Sequence, residues 1–162
     1  MKLFYEVDLV SRKNMIRFEE IEGKPNLQNL EKISQFYQSI FAVTDSEKLH
    51  NRINSAENLF TLLAFSDGEI VGFKLGYQID RQKFYSWIGG VKSEFRKLGI
   101  ANELMSRQHD WCRKNGFQIV QTKTKNTFKP MLILNIKSGF DIVELQRNDR
   151  NEIKIVLEKK LT

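Results

Sequence analysis

Residues 84–116 read FYSWIGGVKSEFRKLGIANELMSRQHDWCRKNG, and the fold is decided by how that stretch divides. Phe84 to Val91 is aromatic and β-branched apart from Gly89 and Gly90, which predicts a strand with a bulge or a close backbone approach near its end. From Ile100 onward Leu104, Met105, Trp111 and Cys112 share one face at helical spacing, and charged residues hold the other. Asn115-Gly116 closes that helix.

Between strand and helix stands Arg96-Lys97-Leu98-Gly99-Ile100-Ala101, a basic turn with little side-chain bulk at Gly99 and Ala101. A helix start offers N–H groups without intrahelical acceptors and the positive end of the dipole, so this turn is built to hold an anion. It is not a phosphate loop of G-x-x-x-x-G-K-[ST] spacing, nor a G-x-G-x-x-G dinucleotide fingerprint.

At these residues the chain resembles the GNAT acetyltransferase superfamily, whose signature Q/R-x-x-G-x-G/A sits at a strand-to-helix turn. Asn126 and Gly139-Phe140 match the downstream part of the pattern, and the resemblance spans Met15 to Leu157. It implies acetyl-coenzyme A as co-substrate, with Arg96, Lys97, Leu98, Gly99, Ile100, Ala101 and Asn102 around its pyrophosphate. Gly89, Gly90 and Val91 would offer strand backbone to the pantetheine arm, and Asn126 and Asn135 would complete the cofactor contacts. The family commonly has a Tyr where Asn135 stands, placed to protonate the departing thiolate. Asparagine cannot give up that proton, although its amide can donate a hydrogen bond. Tyr85 is then the best-placed phenol for proton transfer, its competing role being an aromatic in the core.

Working outward, Met15–Glu22 alternates like a strand, and Lys2–Leu9 predicts an extra strand within residues 1–14, hairpinned to it. Asn26 is placed to cap a helix carrying Leu27, Leu30, Ile33, Phe36, Tyr37, Ile40 and Phe41 on one face. Phe36 and Tyr37 could touch an acceptor, but core packing is the simpler assignment. A second helix begins at Asp45, with Leu49 and Ile53 inward. Asn58–Phe65 and Ile70–Ile79 flank Asp67-Gly68 as a hairpin.

Beyond the cofactor helix come a strand at Phe117–Thr124, a short helix opened by Pro130 and running Met131–Lys137, and a terminal hairpin, Phe140–Leu145 with Glu152–Leu157. The expected fold is α+β, a mixed, mostly antiparallel twisted sheet with a β-α-β cofactor unit and helices on both faces, in one domain over residues 1–162.

Composition sets the bounds. The hydrophobic share of 41% and charged share of 28% are those of a folded globule. No apolar run approaches the roughly 20 residues of a membrane span. The lone Cys112 permits no intrachain disulfide, and with no signal-like start the expected location is the cytoplasm. His50 and His109 lack partners at metal-ligand spacing, so no metal is expected.

The net charge of +6 raises nucleic-acid binding, but acidic residues are interleaved throughout, and positive potential around an anionic co-substrate accounts for the excess. The expected function is an N-acetyltransferase moving an acetyl group from acetyl-coenzyme A to a primary amine by direct attack. Its alternative is a non-catalytic acyl-coenzyme A binding or sensing domain, suggested by Asn135. The acceptor is not specified, and the extra leading strand could supply an edge for a homodimer.

Overall fold

In a computed structural model the described residues are 15–162, so the strand expected at Lys2–Leu9 lies outside them. The elements in chain order are β1 (Arg17–Glu22), α1 (Leu27–Phe41), α2 (Glu47–Ser55), β2 (Glu57–Ser66), β3 (Glu69–Gln78), β4 (Lys83–Val91), a 3₁₀ turn (Ser93–Phe95), α3 (Ile100–Lys114), β5 (Ile119–Thr124), α4 (Lys129–Lys137), β6 (Asp141–Arg147) and β7 (Ile153–Lys160). The strands form one seven-stranded sheet in the order β1-β2-β3-β4-β5-β7-β6.

Local chemistry explains the boundaries. Asn26 Oδ1 accepts the N–H of Asn29 at 2.8 Å and starts α1. Asp67 and Gly68 have φ of 50° and 81°, the left-handed pair that a tight two-residue hairpin needs, and they join β2 to β3. Pro130 falls within the first turn of α4, where a missing N–H costs nothing.

Both faces of the central strands are covered. In β2 every residue from Leu59 to Ser66 is buried, so the strict alternation of a half-exposed strand is absent. Phe60, Leu62 and Ala64 pack toward α3 with Phe84, Leu104, Trp111 and Val120, and Phe60 stacks on Trp111 at 4.3 Å. Leu59, Leu63 and Phe65 pack toward α1 and α2 with Ile33, Phe36, Leu49 and Ile53. Phe36 meets Phe73 edge-on at 5.2 Å and is core.

The feature that positions the site is a bulge in β4. Leu75 pairs with Ile88 and Gly76 with Ser86, leaving Trp87 without a partner on β3. The expected bulge therefore sits at Trp87 and not at the glycine pair. Gly89 and Gly90 serve close approach instead: a Cβ on Gly90 would lie 2.8 Å from Ile40 Cγ2 of α1, and one on Gly89 would lie 3.2 Å from the carbonyl oxygen of Phe73.

A bulge increases local twist, and β4 and β5 diverge soon after they meet. Their parallel pairing is limited to Lys83 with Ile119, Phe84 with Val120 and Tyr85 with Gln121. Past that point β5 continues along β7 as far as Thr124 opposite Ile155, while β4 continues along β3 as far as Val91 opposite Gly72. The two strands thus open like a V, closed at Lys83 and Ile119.

Candidate active site

The mouth of the V is a cleft of about 350 Å³. Tyr85, Ser86, Trp87, Ile88 and Gly89 line it from β4, Thr122, Lys123 and Thr124 from β5, and Lys125 from just beyond it. Lys74, Asn135 and the exposed aromatics Phe41 and Phe128 also border it. Thr122 Oγ1 donates to the carbonyl oxygen of Ser86 at 2.9 Å and bridges the strands at the throat. Among the described residues the side chains around the cleft include lysines but no carboxylate, which gives it positive potential.

At the end of β4 the chain enters the basic turn. Lys97 (φ 63°) and Gly99 (φ 82°) lie in the left-handed region on either side of Leu98, which does not, an alternation that makes successive N–H groups converge. The N–H groups of Leu98, Gly99, Ile100, Ala101 and Asn102 find no acceptor among the described residues. A Cβ on Gly99 would meet open space, so the conformation and not crowding requires glycine there. This set of unpaired donors at a helix start fits a diphosphate. Lys97 is exposed, while Arg96 spends its Nε–H on the carbonyl oxygen of Val91 at 3.2 Å and braces the turn.

Other expected residues divide between the cleft and the surface. Asn135 is 2% exposed, its Nδ2 lacks an acceptor, and it borders the cleft. Asn126 is exposed in the turn after β5 and is not among the residues lining the cleft. Tyr85 borders the cleft and meets Tyr77 edge-on at 5.5 Å. Burial, with Tyr77 beside it, pushes its phenol up to about 12, against a smaller opposing pull from Arg52. Tyr85 is therefore protonated at neutral pH and suited to donating a hydrogen bond, not to taking a proton.

Sequence reasoning missed Lys74, Gln108 and His109, all buried polar side chains on the α3 side of the sheet. Gln108 stands four residues beyond Leu104, on the same helical face, and that spacing would have found it. A second cleft, of about 440 Å³, is lined by Asp45, Glu47, Lys48, Asn51, Arg52, Ser55 and Trp87. Trp87 belongs to both clefts, so the bulge residue stands between them.

Among the described residues no helix is long and apolar enough to cross a membrane. Nor do they contain a group of three or more His, Cys, Asp or Glu able to hold a metal ion.

Known proteins share this fold. The chain is 23% identical over 146 residues to N-alpha-acetyltransferase 50 of Danio rerio, covering 86% of this chain and 87% of that protein. A GNAT family acetyltransferase from Elizabethkingia anophelis, solved with acetyl-CoA bound, superposes with a TM-score of 0.68 at 19% identity, covering 91% of this chain and 99% of that one. The aminoglycoside 6'-N-acetyltransferase from Enterococcus faecium superposes with a TM-score of 0.72 at 17% identity, covering 89% and 97%. The description "Acetyltransferase (GNAT) family" matches residues 27–132, which take in the opened strands, the turn of unpaired amides and the helix behind it, and so the chain belongs to the GNAT acetyltransferase family.

Proposed function

We propose that the protein is a single catalytic domain that transfers the acetyl group of acetyl-coenzyme A to a primary amine by direct attack, the cofactor lying along the V between β4 and β5. The observation that carries this reading is that β4, which lines the cleft, runs on into a turn where the N–H groups of Leu98 to Asn102 find no acceptor among the described residues. The diphosphate rests on those amides, with Lys97 nearby, and the pantetheine arm takes the place of the strand partner that β4 lacks beyond Tyr85. Asn135 Nδ2 and the Tyr85 hydroxyl supply donors inside the cleft, Gly89 supplies backbone at its edge, and Gly90 and Val91 carry β4 on beyond the lining.

The acceptor enters past Trp87 from the cleft along α2, whose lining offers the carboxylates of Asp45 and Glu47 to an amine but balances them with Lys48 and Arg52. Water carries the amine's proton away, because no carboxylate among the described residues borders the β4–β5 cleft and Tyr85 is too weakly acidic to be a base. A peptide N-terminus and an aminoglycoside are the acceptor classes suggested by the relatives. The buried lone Cys112 suits a reducing cytoplasm. The apolar strip Ile142, Val143 and Leu145, exposed on edge strand β6, suits pairing with a second copy.

The test is release of free coenzyme A thiol from acetyl-coenzyme A with a panel of peptides, aminoglycosides and small amines. Turnover with one class is expected. Saturable binding of acetyl-coenzyme A with no turnover across the panel would replace this reading with that of a sensing domain.

A further inference from the structure

Lys74 stands on β3 directly opposite Gly89 of β4. Its stem lies over the bare face of that glycine, with Cγ 3.5 Å from where a Cβ would be, and the side chain borders the β4–β5 cleft. It is 9% exposed, and it has neither hydrogen bond nor ion pair among the described residues. A solitary buried amine is costly, and no structural partner explains it.

Among the described residues no carboxylate lines the cleft beside it. From α3 come Cys112, whose thiol burial pushes up to about 12, and His109, driven down to about 3 first by burial and then by Lys159 and Lys74. Lys159 of β7 sits 3.4 Å from His109 Nδ1. Around the cleft, Lys123 of β5, Lys125 just after it, Lys154 of β7 and Tyr85 of β4 add three cations and a neutral phenol, with Lys125 paired to Glu152 at 3.1 Å. The missing anion therefore arrives with a ligand.

We propose that Lys74 is a catalytic residue, its ammonium donating a proton to the coenzyme A sulfur as the thioester breaks. This rests on the reading of the cleft given above. The acceptor nitrogen forms its bond to the acetyl carbon, the C–S bond breaks with its electron pair on sulfur, and a Lys74 Nζ proton passes to that sulfur. The neutral amine is reprotonated from water, which took up the proton lost by the acceptor, so the charges balance. Burial brings Lys74 down to about 8, close to an ordinary thiol, which makes the transfer nearly balanced in energy. Neither Asn135, which has no acidic proton, nor Tyr85, at about 12, is so matched.

The experiment compares binding of coenzyme A and desulfo-coenzyme A by calorimetry at neutral pH, in the wild type and in Lys74→Met, with ultraviolet absorption reporting thiolate. The wild type should prefer the sulfur compound by about tenfold and show part of the bound sulfur as thiolate, since a nearly balanced transfer populates both thiol with amine and thiolate with ammonium. Lys74→Met should keep its affinity for desulfo-coenzyme A, lose the preference and the thiolate signal, and lose about a hundredfold or more in kcat. Equal affinities in the wild type, or a preference that survives in Lys74→Met, would overturn the proposal. If Lys74→Met fails to fold, Lys74→Gln makes the same comparison. Failure of the wild type to bind either compound is a different result, and overturns the cofactor site itself.

Discussion

Thr122 Oγ1 donates a 2.9 Å hydrogen bond to the Ser86 carbonyl oxygen just beyond Tyr85 and Gln121, the last pair of the β4–β5 ladder. Both residues are buried, so this bond sets the width of the throat at the point where the strands part. Thr122→Val keeps the shape and removes the donor, leaving a buried carbonyl unpaired. Stability should fall by about 1–3 kcal/mol in urea titrations, and KM for acetyl-coenzyme A should rise. Thr122→Ser should behave as the wild type. A Thr122→Val protein unchanged in both respects would show that the bond does not hold the throat.

Gly99 has φ of 82° at the start of α3, and nothing lies near its α-carbon face. Gly99→Ala should lose about 1 kcal/mol from the strained backbone alone and keep most of its affinity. Gly99→Glu places a carboxylate where the diphosphate rests, so acetyl-coenzyme A should no longer raise the melting temperature, as it should for the wild type. An equal rise in both proteins would move the diphosphate elsewhere.

Lys83 Nζ lies 2.8 Å from Glu158 Oε1, tying β4 to β7 across β5 at the closed end of the V, and Gln121 Nε2 donates to the same oxygen at 2.9 Å. The hydrogen bond from Lys83 holds the Glu158 carboxyl below the usual range and raises Lys83 above its own. Stability from Glu158 is present above its unfolded value near 4.5 and is lost as pH falls below it. Stability from Lys83 is present below 10.5 and is lost as pH rises through its raised value. Glu158→Gln should flatten both limbs and cost about 1 kcal/mol between them. Unfolding curves across pH for the two proteins check this, and matching profiles would show the pair to be idle.

These features divide by what a sequence can express. The Asn26 cap, the Asp67-Gly68 turn and the Arg96–Ala101 turn are local chemistry written within a few residues, and each element stands where its residues place it. A glycine pair advertises a bulge and a close approach alike, and here it serves the close approach, accommodating Ile40 and the stem of Lys74. Trp87 carries no mark of being unpaired, since register depends on β3. Lys74 in IVGFKLGYQI reads as one alternating polar position, and only α3 lying across the sheet makes it buried. Asn126 follows β5 closely in sequence, yet the turn carries it to the surface.

Lys74 also has a consequence for stability. Its value falls from 10.5 unfolded to about 8 folded through burial, so between those pH values the unfolded chain binds more protons and stability rises with pH. Below about 8 the cost of the buried charge is fully present, on the order of 3 kcal/mol. Lys74→Met should therefore be more stable than the wild type at neutral pH, with the gain shrinking toward pH 10. The difference between the two proteins cancels the titration of Tyr85, while Cys112, which Lys74 influences, is pushed up to about 12 and lies beyond this pH range. A variant less stable at neutral pH would mean that the ammonium is held by the fold and is not waiting for a ligand.

The most direct measurement is a crystal structure of the protein with acetyl-coenzyme A. The diphosphate should accept hydrogen bonds from the N–H groups of Leu98 to Asn102, with the pantetheine between Gly89 and Thr122 and the sulfur turned toward Lys74 and Asn135. Density for the cofactor outside the V, with β4 and β5 closed on each other, would contradict the account.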